Sequence, residues 1–87
     1  MKFIKNKSVV YRKENYGALF FNPIKNLVIR VNEIGFEVWS LFDGKNSLED
    51  IIDIISKKYK KNKQKIKKDV QDFLKKILYY ELIIPKK

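Results

Sequence analysis

The chain has 87 residues, no cysteine, no histidine and a net charge of +10 at neutral pH. Eighty-seven residues make a single domain, residues 1–87, with one small core. Lack of cysteine excludes disulfides, thiolate nucleophiles and thiolate metal sites, and lack of histidine removes the imidazole base and the Ser-His and Cys-His arrangements. The carboxylates form no recognisable catalytic pair, so no enzyme activity, metal or cofactor is expected.

The N-terminal MKFIKNKSVVYRK has no apolar h-region. No apolar stretch approaches the ~20 residues of a membrane span. A cytoplasmic protein with no membrane partner is expected. Residues 9–11, Val-Val-Tyr, are a short β-prone run that ends in polar residues 12–15. Residues 17–21, Gly-Ala-Leu-Phe-Phe, are a second run. Asn22-Pro23-Ile24-Lys25-Asn26 has turn chemistry, since proline fixes φ and asparagine tolerates left-handed backbone. Residues 27–31, Leu-Val-Ile-Arg-Val, are a third strand rich in β-branched side chains. Leu27, Ile29 and Val31 share the face expected to meet the core, and Val28 and Arg30 share the solvent face.

At Asn32 the apolar period changes from two to about 3.6. Asparagine suits a helix N-cap, where its side chain accepts from free amides of the first turn. Ile34, Val38, Leu41 and Phe42 follow with helical spacing, Trp39 lies at the stripe's edge, and Asp43-Gly44 stops the helix. Phe36 falls off the stripe. A second helix starts at Ser47, which with Asp50 resembles a capping box. Leu48, Ile51, Ile52, Ile55 and Tyr59 form its stripe. Residues 60–64 read as a polar loop. A third helix covers residues 65–80 with the broad stripe Ile66, Val70, Phe73, Leu74, Ile77 and Tyr80. The apolar tail Leu82-Ile83-Ile84 needs a cover. The predicted order is therefore β-β-β-α-α-α, an α+β chain with a three-stranded antiparallel N-terminal sheet and a winged helix-turn-helix-like arrangement.

The run RVNEIGFEVWSLFDG, residues 30–44, resembles the central signature of the PqqD-like family, with Val31 where leucine is usual. Ser47-Leu48-Glu49-Asp50-Ile51-Ile52 is similar to that family's second helix. Asp69-Val70-Gln71-Asp72-Phe73-Leu74-Lys75-Lys76-Ile77 is similar to its third. Arg12-Lys13-Glu14-Asn15-Tyr16-Gly17-Ala18-Leu19 resembles the opening of members that serve radical S-adenosylmethionine (SAM) maturases. Together these segments cover about residues 9–84. The resemblance implies a peptide chaperone, a recognition element for ribosomally synthesised and post-translationally modified peptides (RiPPs). Its partners would be a precursor peptide and a modifying enzyme, a radical SAM protein.

It further implies that the peptide's leader pairs as an added strand along the third strand, in the cleft between that strand and the third helix. An intact hydrogen-bonding row without proline at residues 27–31 permits this. The peptide-binding residues would be Leu27, Val28, Ile29, Arg30, Val31, Val70, Phe73, Leu74 and Ile77. Leu27, Ile29, Val31, Val70, Phe73, Leu74 and Ile77 each have an alternative role in the core, and Arg30 could simply face solvent. Lys63, Lys65, Lys67 and Lys68 could steer an acidic leader, or could simply solvate a helix start. The rival reading is a winged-helix DNA-binding protein whose third helix reads the groove and whose lysines meet phosphate. Lysine-dominated chemistry with Asp69 and Asp72 on that helix, and strands that precede the helices, argue against nucleic acid.

Overall fold

A computed structural model of the chain describes residues 2–86. The element order is β1 (Phe3–Lys5), β2 (Val10–Glu14), β3 (Gly17–Asn22), β4 (Leu27–Asn32), α1 (Glu33–Ser40), α2 (Leu48–Tyr59), α3 (Lys63–Tyr79) and β5 (Ile83–Pro85). β2, β3 and β4 form an antiparallel meander with β3 in the centre. The predicted α+β class, the three strands and the three helices are all present. The predicted order is corrected at both ends, because β1 and β5 pair as a second, two-stranded antiparallel sheet. This pairing covers the apolar tail, burying Leu82 and Ile83. Trp39 Nε1 donates to the Leu82 carbonyl at 3.1 Å and fixes the tail under α1.

Period-two alternation sets the inner face of the meander. Ala18 and Phe20 on β3 and Ile29 and Val31 on β4 are buried, and their neighbours in sequence turn outward. α1 packs beneath this face. Phe36, the residue that fits no stripe, has its place here, because its ring meets Tyr11, Phe20 and Trp39 at centroid distances of 5.3, 6.3 and 5.8 Å. Such tilted pairs add to the apolar burial of the rings. The underside of the sheet thus continues the core out to β2.

Side-chain caps set the helix starts. The Asn32 carbonyl oxygen of the side chain accepts from Gly35 N at 2.7 Å. Ser47 and Asp50 form the reciprocal capping box. α3 starts two residues before the predicted Lys65, because the Asn62 side chain accepts from Gln64 N and Lys65 N at 2.8 and 3.3 Å. The polar loop between α2 and α3 is correspondingly short. It turns at Lys60, which takes a left-handed backbone with φ of 52°. No helix among the described residues is long and apolar enough to cross a membrane.

Candidate functional site: the β4 edge and the pocket beside α3

β4 pairs only with β3 among the described residues, so it is an edge of the sheet. An edge strand presents a row of unpaired amides and carbonyls. Six residues of it are regular, none is proline, and Arg30 carries its only charge. At its C-terminal end the chain bends at Asn32 into α1, and the first turn of α1 meets α3. Gly35 makes this approach possible. A methyl group in its place would lie 2.8 Å from Val31 Cγ1, 3.1 Å from Asn32 Oδ1 and 3.1 Å from Phe73 Cε1.

A pocket of ≈ 180 Å³ opens at this corner. Gly35 and Val38 of α1, Ile55 of α2, and Val70 and Phe73 of α3 form its apolar wall. Lys61 and Asp69 bring opposite charges to it. The site is thus an open backbone edge that leads to an apolar hole with a polar rim, suited to an extended peptide with one anchoring side chain.

The predicted peptide-contact residues fall into three groups. Ile29, Val31, Val70 and Ile77 are buried members of the core cluster, and of these Val70 alone lines the pocket. Leu27, Phe73 and Leu74 are half-buried and pack against that cluster. Phe73 lines the pocket and Leu74 does not, since one residue along a helix is a rotation of about 100°. Val28 and Arg30 point away from the core, on the outer face of the sheet. Arg30 stacks its guanidinium over the Tyr16 ring at 5.2 Å.

Among the four lysines, Lys63 is engaged within the chain, with its Nζ 2.7 Å from Asp53 Oδ1. That hydrogen bond holds the Asp53 carboxyl below its ordinary range and raises the Lys63 ammonium above its own. Lys65, Lys67 and Lys68 are exposed on the first turns of α3.

The sequence reading missed Asn32, Gly35, Lys61 and Asp69 as site residues. Gly35 gave the one available signal. A glycine inside a helix is costly relative to alanine by about 1 kcal/mol, and so calls for a packing reason.

The fold and the site together define a small α+β module with an open sheet edge beside an apolar pocket. The family model described as coenzyme PQQ synthesis protein D (PqqD) matches residues 17–83. The chain belongs to the PqqD family. Two solved structures share its fold. One is TbiB1 in complex with the TbiA(beta) leader peptide, at 22% identity and a TM-score of 0.80, covering 100% of this chain and 99% of that one. The other is a lasso peptide synthetase B1 complexed with the leader peptide, at 10% identity and a TM-score of 0.81, covering 98% of this chain and 100% of that one. No curated protein sequence matches the chain.

Proposed function

We propose that this protein captures the leader of a ribosomally synthesised precursor peptide as a strand added to β4, in the cleft between β4 and α3, and presents it to a modifying enzyme. The observation that carries this reading is the free, proline-free β4 edge that ends at the apolar pocket beside Gly35 and Phe73. Both solved structures of the same fold hold leader peptides, which supports it. An antiparallel leader would enter at Asn32 and leave at Leu27. One apolar leader side chain would enter the pocket, and Lys65, Lys67 and Lys68 would attract acidic leader residues. The three-stranded sheet beside three helices supports a winged helix-turn-helix-like reading in which the strands and α3, not a groove-reading helix, are the working surface. The module itself performs no chemistry and acts in the cytoplasm. The Arg12-to-Leu19 segment favours a radical SAM enzyme as the recipient.

The test uses the leader of the precursor encoded beside this gene, methylated at one backbone nitrogen at a time. In an antiparallel ladder successive amides point to opposite sides. Affinity measured by calorimetry should therefore fall at every second methylated position within the docking segment and be spared between them. Uniform tolerance of methylation would exclude strand addition. In parallel, the leader should move the amide resonances of β4 and of the Val70–Ile77 stretch. Shifts confined to the lysines, with binding of duplex DNA instead, would favour the nucleic-acid reading.

A further inference from the structure

An antiparallel sheet with its core on one side ordinarily turns polar residues to the other. The outer face of the β2-β3-β4 meander breaks this pattern. Val10, Phe21 and Val28 lie side by side in one cross-strand row. Val10 is 59% and Val28 64% exposed. Ile24, in the turn at the same end, is 76% exposed. None of the three exposed residues is needed by the core, which lies on the inner face. Contiguous exposed apolar surface of this kind marks a contact site.

The next polar row is Arg12, Leu19 and Arg30, again directly across the strands. These are the only two arginines in a chain whose other cations are lysine. Both are positioned. Arg12 Nε lies 2.6 Å from Glu14 Oε1, and Arg30 rests on Tyr16. The terminal nitrogens of Arg12 make no hydrogen bond to the chain among the described residues. Guanidinium groups are less tightly hydrated than ammonium and bind carboxylates in two-point fashion, which is why arginine is enriched in protein interfaces. The two cations stand two strand spacings apart, about 10 Å.

The geometry points to this outer face as a docking surface for a second protein, one with an apolar centre flanked by carboxylates that meet Arg12 and Arg30. That the partner is the modifying enzyme rests on the function proposed above. A second copy of this chain fits poorly, because it would bring the same cations and another +10 of charge to the contact. An anionic membrane fits poorly as well. Binding to such a surface draws on clustered lysines, and the lysine-rich segment lies on α2 and α3 rather than on this face. The arrangement separates the tasks. The leader occupies the β4 edge, the enzyme covers the sheet, and the outward side chains of the added strand fall beside Val28 and Arg30 within the enzyme's reach.

The double variant Val10→Glu/Arg12→Glu tests the proposal. Both residues are exposed and lie on β2, two strands from the leader edge. The probes are the purified modifying enzyme encoded beside this gene and the leader peptide, each titrated separately into the full chain. Enzyme affinity is expected to fall at least tenfold while leader affinity stays within twofold. An unchanged enzyme affinity, or no enzyme binding by the wild type, overturns the docking face and leaves leader capture standing. Failure of the wild type to bind leader overturns the function proposed above, and the enzyme titration still decides the face. Should the double variant lose its folded circular dichroism, Val10→Ser/Arg12→Gln carries the same expectation in milder form. Sedimentation as a dimer, or binding to vesicles with phosphatidylserine, that the variant abolishes would assign the face to self-association or membrane and overturn the proposal.

Discussion

Gly35 sets how closely α1 and α3 approach each other, and so the shape of the pocket. Alanine there gains helix propensity of about 1 kcal/mol. It also crowds Val31, Asn32 and Phe73, and overpacking of this kind costs about 1–3 kcal/mol. Gly35→Ala is therefore expected to lower stability by no more than about 2 kcal/mol in urea melts. Its larger effect falls on leader affinity, which should drop because the displaced Phe73 ring narrows the pocket. A variant with unchanged affinity would show that the pocket is not used. Asn22 makes a different point at the same scale. Its identity as a turn residue was plain, and its side chain does accept from Ile24 N and Lys25 N. The bond that makes it matter, from Nδ2 to the Tyr80 carbonyl at 2.9 Å, joins the β3–β4 turn to the end of α3. No local pattern announces a contact 58 positions away.

Among the elements, those that carry their own signal were legible. β4 has clean alternation, and α2 has an apolar stripe with a capping box at its start. α3 was legible except for its first turn, where lysines at the positive end of the helix dipole disguised a start fixed by Asn62. β1 and β5 were not. Each has three residues, too few to show a period, and each is a strand only because the other lies beside it. The candidate edge could be found through the family resemblance, which points to the third strand, whose proline-free row permits pairing. The pocket could not, since α1, α2 and α3 build it jointly. The short pair nevertheless carries weight. Ile83 is 1% exposed, and truncation of a buried isoleucine costs about 2–5 kcal/mol. Ile83→Ala should thus lower the urea midpoint strongly while β4 and its pocket keep their geometry. A loss below about 1 kcal/mol would mean that the small sheet is an accessory.

For the molecule as a whole, the excess of positive charge is unevenly used. Lys25, Lys58 and Lys63 are paired with Glu81, Glu37 and Asp53. Lys65, Lys67 and Lys68 stand exposed beside the α3 side of the site, near the pocket residues Lys61 and Asp69. Electrostatic attraction of this kind acts on association more than on residence. Replacing Lys65, Lys67 and Lys68 together by glutamine should slow association of an acidic leader several-fold and leave dissociation nearly unchanged in stopped-flow traces. Raising salt from about 50 to about 500 mM should slow the wild type similarly, because the screening length shrinks to a few ångströms. Equal salt dependence in wild type and variant would assign the lysines to solvation alone.

The β1–β5 pairing has a consequence for modularity. Phe3 and Pro85 are register partners, so residues near the two ends of the described chain lie one strand spacing apart, about 5 Å. A folded unit with its entry and exit at one point can be spliced into a surface loop of a larger protein with little stretching of the host at the junctions. The same closure lets the ends be joined by a short linker and the chain reopened elsewhere, at the exposed β2–β3 turn around Asn15 and Tyr16, with β4 and its pocket unbroken. A device that holds down an apolar tail therefore also makes the domain portable.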